Sequence, residues 1–235
     1  MTEKLKVVMP VYNEEGIIAH VIDKWTQKLL ELNIDFQILA YNDGSKDGTL
    51  EILTEIEKQN KYLKAINKPN SGHGPTILRG YSESIDSEWI FQIDSDDEID
   101  VIYFEKLWAN RNQFDFLIGN RINRQTPHIR RFISWFSRLT VFLFYSRNIM
   151  DVNCPYRLMR TEKFKEIFNL IPNDTLAPNI IITGVACKKK FNIYQTDVSF
   201  KIRQTGEVSI KRWKLLKFSI KSFWQTIKFR FQNKL

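Results

Sequence analysis

The chain has 235 residues, 43% of them hydrophobic and 26% charged, with only seven prolines and nine glycines. That size and apolar content exclude wholesale disorder and collagen-like or linker-like chains, and suit one large α/β domain or one domain with an extension. The net charge of +8 admits a nucleic-acid or an anionic-membrane partner without choosing between them, and two cysteines, Cys154 and Cys187, are too few for a disulfide framework or a zinc cluster and read more simply as thiols in a reducing compartment.

The start, MTEKLKVVMP, offers only a short apolar run before Pro10, so no signal peptide is expected. Residues 5–9 read as a short buried strand ending at Pro10. A helix follows Gly16, with Ile17, Ile18, Val21, Ile22, Trp25, Leu29 and Leu30 on its apolar face. FQILAY, 36–41, is a second strand. It runs into NDGSKDGT, a polar turn with helix-capping residues at its end. A helix over 49–59 and a strand over 62–66 come next. NKPNSGHGPT, 67–76, is a Gly/Pro-rich loop opening a helix to about Ser84. WIFQI, 89–93, is a third buried-type strand, closed at once by DSDDEID. Strand and helix alternating with few residues between them predict an open, mostly parallel sheet covered by helices.

The second half is less regular. A helix over 99–110 precedes a strand over 114–120 and an Arg-rich polar segment. Residues 128–146 read as helix; 150–160 as a loop turning into a strand; 161–168 and 177–188 as helices. Strands are expected near 191–195 and 197–203, and one long amphipathic helix over 208–231. The longest apolar stretch, Phe132 to Ser146, is interrupted by Arg138 and is too short for a comfortable membrane span. The chain is therefore expected on the cytoplasmic side, as a body over 1–207 carrying a basic amphipathic helix over 208–235.

The basic excess sits in that tail. Residues 201–235 hold ten Lys or Arg and one Glu, which leaves the first 200 residues with a net charge of −1. On a helical wheel Trp213, Leu216, Ile220, Phe223, Trp224, Ile227 and Phe231 fall within about 100°. Lys214, Lys217, Lys221 and Lys228 border one side, and Arg212 and Arg230 the other. Such a helix suits the surface of an anionic bilayer. Docking on the body, or on a second copy in a homo-oligomer, is the plainer use of the same face. The stretch 130–145 has similar character, with Arg130, Arg131 and Arg138 among its aromatics, and plain core helix is its alternative. The near-neutral body argues against a nucleic-acid binder.

Ligands in open α/β sheets bind beyond the carboxyl ends of the strands. The first strand delivers Asn13 and Glu14 there, the second Asn42 and Asp43, and the third Asp94, Asp96 and Asp97. Five acids fall within residues 94–100, and like charges so crowded need a cation or basic group to balance them. Asp94 and Asp96 offer hard oxygens at a spacing that suits Mg²⁺ or Mn²⁺, ions that also bind phosphate. A solvated acidic turn is the bland alternative. Asp43 could accept hydrogen bonds from a base or ribose, and the segment Ser71–Gly74 could bring backbone N–H groups to an anion. Neither GxGxxG after the first strand nor GxxxxGK[ST] is present. A nucleotidyltransferase would need the same metal and paired acids.

The ordered set VVMPVYNEE (ending at Glu15), YNDGSKDGT (41–49), NKPNSGHG (67–74) and FQIDSD (91–96) resembles the GT-A glycosyltransferases of family 2. GNRINR (119–124) and DVNCPYRLMR (151–160) are similar to the dolichol-phosphate mannosyltransferase-like, polyprenyl-phosphate sugar transferase branch. The resemblance covers roughly residues 5–205. It implies a GT-A nucleotide-diphospho-sugar transferase fold and a metal-dependent inverting transfer. The donor would be a UDP- or GDP-sugar, the acceptor a polyprenyl phosphate or lipid-linked glycan in cell-surface glycan synthesis. A soluble or protein acceptor is the second reading.

By resemblance, Pro10, Tyr12 and Glu14 line the nucleotide pocket and Asp43 meets base or ribose. Asp94 and Asp96 form the family's DxD, with Asp96 the better metal ligand. Asp151 is a base or an acceptor-positioning group. Arg121, Arg124 and Arg203 are phosphate-site candidates, and Arg157, which matches the arginine of the branch's D-x-x-x-G-F-R stretch, is a donor-binding candidate. The chain departs from the family's pattern at Asn42, where a second Asp is usual; at Pro155–Tyr156, in place of Gly-Phe; and at Lys201, in place of His. It lacks the Q-x-x-R-W of processive synthases.

Overall fold

The computed structural model describes residues 4–122, 128–145, 149–201 and 212–233. Its elements in chain order are β1 (Lys4–Val11), α1 (Ile18–Glu31), β2 (Asp35–Asp43), α2 (Thr49–Gln59), β3 (Leu63–Lys68), α3 (His73–Ser82), β4 (Trp89–Gln92), α4 (Phe104–Asn110), β5 (Phe116–Ile122), α5 (His128–Tyr145), β6 (Arg157–Arg160), α6 (Thr161–Leu170), α7 (Pro178–Lys188), β7 (Ile193–Ser199) and α8 (Arg212–Gln232). Seven strands form one sheet in the order β3-β2-β1-β4-β6-β5-β7. Pairing is parallel except where β6 runs antiparallel to both β4 and β5. The result is the open, mostly parallel sheet between helices that the sequence predicts, with one reversed strand.

The first strand continues through Pro10, where the sequence suggests a stop. Val8 gives its carbonyl to Ile93 N on the β4 side. Two residues on, the missing N–H of Pro10 faces the same side, where β4 has already ended at Gln92. No ladder bond is lost, so proline is tolerated there. β1 and β2 meanwhile pair in register from Lys4 with Asp35 to Val11 with Asn42.

α1 forms where Ile18, Val21, Ile22, Trp25 and Leu29 recur at helical spacing, and all five are buried. Each such side chain contributes about 1.5–3 kcal/mol on burial. Trp25 meets Phe91, Phe104 and Tyr156, which ties both halves of the sheet to one core. α7 is buried along nearly its whole length, from Pro178 to Cys187, and apart from Asn179 and Thr183 that run carries no polar side chain, as a helix enclosed on all sides requires.

Three other expectations shift. The helix after the Gly/Pro-rich loop begins within it, at His73. The 99–110 helix divides into a short 3₁₀ turn, Val101–Tyr103, and α4. The two strands foreseen between 191 and 203 are one strand, β7, followed by a bridge from Phe200 to Ile99.

α8 packs beside α5 and α7. Phe136 meets Phe223 and Phe144 meets Phe231, so α5 and α8 run parallel. Tyr145 Oη donates to Thr226 O, Arg230 Nε donates to Phe144 O, and Gln225 Oε1 accepts from Leu176 N. The docked stripe is Ser222, Thr226 and Phe229, all buried, whereas Ile220, Trp224 and Phe231 are exposed. The helix thus docks by a largely small, polar edge and leaves much of its apolar face open. No helix among the described residues is long and apolar enough to cross a membrane.

Candidate active site

The carboxyl ends of β1, β2 and β4 lie side by side in the sheet, and each is followed by a polar loop. Two of these loops are laced together. Asn13 N donates to Ser45 Oγ, Lys46 N to Asn13 Oδ1 and Gly48 N to Glu15 Oε2. Glu14 N donates to Thr49 Oγ1 and its carbonyl accepts from Ile17 and Ile18. Pro10 and Glu14 are buried and Tyr12 is half-buried. Gly44 has φ of +66°, and a Cβ there would stand 2.8 Å from Asn70 N, so glycine is required where the β2 loop meets the loop after β3.

Asp43 organises that second loop. Its carboxylate is buried against Lys68 and accepts from Ser71 N at 2.8 Å and Gly72 N at 2.9 Å. Those two backbone donors face Asp43, which corrects the expectation that they are aimed at a bound anion. Oδ1 takes Lys68 and Ser71, and Oδ2 takes only Gly72, so one acceptor direction on Oδ2 remains among the described residues. α3 starts directly afterwards, pressed so close to the 175–176 loop that a Cβ on Gly74 would lie 2.2 Å from Leu176 O.

His73 opens α3 and reaches the end of β4, where its Nε2 lies 3.0 Å from Asp94 Oδ1. With 52% of its side chain accessible, it lines an open cleft. The ring nevertheless sits low enough for desolvation to work against its charged form. Asp94, and beyond it Asp96 and Asp43, outweigh this and hold the imidazole above its ordinary range. Burial presses the Asp94 carboxyl upward, but His73, the Arg121 charge and the Gln92 amide hold it below the usual carboxylate range.

Asp97 and Asp100, later in the acidic run, are balanced by lysines. Lys24 reaches Asp97 at 2.9 Å and Asp100 at 3.4 Å, and Lys201 also pairs with Asp100. Asp96 Oδ1 accepts from Glu98 N at 3.3 Å.

On the far side of Asp94, Arg121 from the end of β5 grips Asp151 through both carboxylate oxygens, at 2.6 and 3.0 Å. Burial alone would lower the guanidinium's proton affinity; Asp151 beside it raises it, so Arg121 stays charged.

Asp43, His73, Asp94, Asp96, Arg121 and Asp151 therefore share one neighbourhood. Arg157 does not open onto it. Its side chain is fully buried, and its five N–H groups go to the carbonyls of Val152, Cys154 and Asn179 and to Thr183 Oγ1. It holds the 152–154 loop to α7, which corrects its expected place among the donor-binding residues. Arg124 and Arg203 lie outside the described residues. Burial pushes the Cys154 thiol up to about 12, as befits a packed cysteine.

Among the described residues no group of three His, Cys, Asp or Glu side chains could hold a metal on its own. The donor set instead offers two carboxylates two residues apart, Asp94 and Asp96, both partly open to solvent. Hard oxygens few in number fit Mg²⁺ or Mn²⁺ when phosphate and water complete the shell.

Three side chains at this edge lie within the quoted motifs but have no role read for them there: Lys68, which neutralises Asp43; His73, whose side chain bridges to Asp94; and Gln92, beneath Asp94. The signal for Gln92 is a polar residue inside an otherwise apolar strand, WIFQI.

The sequence pattern of glycosyl transferase family 2 matches residues 6–168. An uncharacterized glycosyltransferase of Synechocystis sp. is 25% identical over 229 residues, covering 94% of this chain and 68% of that protein. An undecaprenyl-phosphate 4-deoxy-4-formamido-L-arabinose transferase of Photorhabdus laumondii is 23% identical over 217 residues, covering 91% of this chain and 65% of that protein. The chain thus spans about two thirds of the length of these relatives. Among solved structures, glucosyl-3-phosphoglycerate synthase from Mycobacterium tuberculosis, in complex with Mn²⁺, UDP-glucose and phosphoglyceric acid, superposes with a TM-score of 0.69 at 14% identity, over 97% of this chain and 80% of that one. At that identity the likeness speaks for the fold.

Proposed function

We infer the activity from kinship and geometry together: the chain belongs to glycosyl transferase family 2, and it is a nucleotide-sugar transferase whose acceptor, in our reading, carries a phosphate. The observation that carries this is the meeting of Asp43, His73, Asp94 and Arg121 with its partner Asp151 at the carboxyl edge of the sheet. The remaining acceptor direction on Asp43 Oδ2 suits an N–H of a nucleotide base. Pro10, Tyr12 and Glu14, with Asn13 and Ser45, would wall the nucleoside. Asp94 and Asp96 would hold Mg²⁺ or Mn²⁺ beside the donor's diphosphate. Such a cation, when bound, supplies positive charge against the leaving group.

The acceptor oxygen would form a bond to the anomeric carbon from the face opposite the leaving diphosphate. The bond from that carbon to the diphosphate oxygen breaks, and configuration inverts. A hydroxyl acceptor must also lose a proton to a base within reach. Both oxygens of Asp151 already accept from Arg121, which leaves them less able to take that proton and suits Asp151 to orienting the acceptor. Arg121 adds fixed positive charge on the side away from His73. An acceptor whose oxygen is already anionic, such as a phosphate, needs little more.

Phosphate is also common to the acceptors in the relatives' names. The solved relative holds phosphoglyceric acid, a soluble compound, which supports a soluble acceptor. The arabinose transferase names undecaprenyl phosphate, which supports a lipid one.

A second observation favours the lipid reading. α5 exposes Trp135, Phe142 and Leu143, and α8 exposes Ile220, Trp224 and Phe231. Trp135, Arg138, Leu139 and Phe142 line a groove of about 330 Å³. Lys217, Lys221 and Lys228 are exposed nearby on α8, and neither helix contains an acid. Aromatic side chains rimmed by lysine suit the interface of an anionic bilayer.

The test is a panel of radiolabelled UDP- and GDP-sugars with Mg²⁺ or Mn²⁺. It is offered with phosphoglyceric acid or other soluble phosphates in one arm and polyprenyl phosphate in anionic vesicles in the other. Labelled product in either arm supports the reaction and identifies the source of the phosphate. Transfer of the nucleotidyl group, or no product in both arms, contradicts it.

A further inference from the structure

Beneath Asp94 lies a set of polar side chains to which neither the resemblance nor the reaction above gives a role. Tyr81 of α3, Gln92 of β4 and Asn179 of α7 are all buried, among the largest apolar side chains of the domain. Buried polar groups are costly unless each finds a partner. Here they form a chain with one direction. Tyr81 Oη donates to Asn179 Oδ1 at 2.8 Å. Asn179 Nδ2 donates to Gln92 Oε1 at 2.9 Å. Gln92 Nε2 donates to Asp94 Oδ1 at 3.0 Å.

The direction follows from the last link. A carboxylate only accepts, so the Gln92 amide must turn its NH₂ toward Asp94 and its oxygen inward. That oxygen then claims the Asn179 NH₂, and the Asn179 oxygen is left for the single Tyr81 proton. Tyr81 Oη also lies 3.0 Å from Gln92 Oε1, but it has one hydrogen to give. The three elements that supply the chain are held rigidly. The Asn179 carbonyl accepts from Arg157 and Thr183, and the Tyr81 ring stacks on Phe168 at 5.0 Å.

We propose that Gln92, fixed by Asn179 and Tyr81, is the positioning residue that sets the Asp94 carboxylate for the sugar donor. Gln92 from below and His73 from the cleft both engage Oδ1, so the rotation of the carboxylate is fixed. Oδ2 has no protein donor among the described residues and is the oxygen presented to the donor. The inward-facing Arg157 finds its use here as well: it anchors Asn179, and so acts on the site through two intermediaries. This inference rests on the reading of Asp94 as part of the donor site.

The test uses the full chain and titrates UDP-glucose and a GDP-sugar in the presence of Mn²⁺, following binding by calorimetry alongside a thermal melt. Gln92→Met should weaken donor binding about tenfold, the scale of a lost hydrogen bond to a charged group. Asp94→Asn should weaken it at least as much. In the Asp94→Asn background, Gln92→Met should cost less than about twofold further, because its effect runs through the carboxylate. A merely structural role predicts the same loss in both backgrounds, and that result would overturn the proposal, as would unchanged donor affinity in Gln92→Met.

If Gln92→Met does not fold, Tyr81→Phe decides. It keeps the ring and removes the first link, and should weaken donor binding about two- to threefold in the wild-type background and not in Asp94→Asn. Equal effects in the two backgrounds, or none in either, would again overturn the proposal. Wild-type protein that binds neither nucleotide sugar would sink the donor reading itself, an outcome distinct from either of these.

Discussion

Strands β3-β2-β1-β4 and strands β6-β5-β7 share one sheet, but they are assembled differently. The first four are parallel, each joined to the next in sequence by a helix, so every loop after a strand emerges at the same edge. Asp43 and Asp94 reach one cleft because the chain repeats one step. In the second set β6 enters antiparallel between β4 and β5. Its approach, the 149–156 segment, therefore comes in at the cleft edge and brings Asp151 to Arg121. One region uses repetition to build a nucleotide-binding edge, and the other uses a reversed strand to set an ion pair against it.

That contrast gives its sharpest expectation at the two arms of the cleft. Asp96→Ala should lower turnover by about a thousandfold or more while the melting temperature stays within a few degrees, since the side chain is partly open and supports no core. A kinetic assay with a thermal melt checks both halves. Retained turnover would separate the acidic edge from the chemistry.

Arg157 belongs to the other arm and should behave in the opposite way. Arg157→Met leaves buried carbonyls of Val152, Cys154 and Asn179 short of donors. Denaturant unfolding should show a loss of about 3 kcal/mol or more. A variant as stable as wild type would contradict this anchoring role.

α8 allows the same comparison within one helix. Phe229→Ala, on the docked stripe, should cost about 3 kcal/mol. Trp224→Ala, on the open face, should stay within about 0.5 kcal/mol. It should instead reduce sedimentation with phosphatidylserine-containing vesicles, whereas unchanged sedimentation would point the face toward another partner.

The mildest expected effect is on pH dependence. The folded-state affinity of His73 for its proton is raised, so the stability it adds is complete below its ordinary value near 6.5 and fades as pH rises through the raised one. Asp94 runs the other way, its contribution present above its ordinary value of 3.8 and lost as pH falls through the lowered one. The melting temperature of wild type minus that of His73→Gln should therefore be largest at mildly acidic pH and shrink toward alkaline pH. A difference that grows with pH would contradict the pair.

The two regions also differ in how far the sequence discloses them. α2 appears at 49–59 as expected, and the β1 to β4 alternation is visible because each strand is an apolar run closed by a polar turn. The extension of β1 past Pro10 could not be read, because it depends on β4 ending early on the neighbouring side. β6 is only four residues long, and nothing in RLMR reveals that it runs backward. The acids of the site were legible as a cluster after an apolar strand. Their partners are less so: Lys68 reaches Asp43, and Asn179 reaches Gln92, only through the fold, while Gln92 shows in the sequence just as a polar residue in an apolar strand two places before Asp94. Arg157 was misread because a motif gives a residue's position in the chain and not the direction of its side chain.

The central claim is that the edge bearing Asp94 and Asp96 receives the diphosphate of a sugar donor. The direct measurement is a crystal structure of the protein soaked with Mn²⁺ and a UDP- or GDP-sugar. The account predicts cation density against Asp96, the diphosphate beside it and the base at Asp43. A diphosphate bound away from residues 94–96 would contradict it.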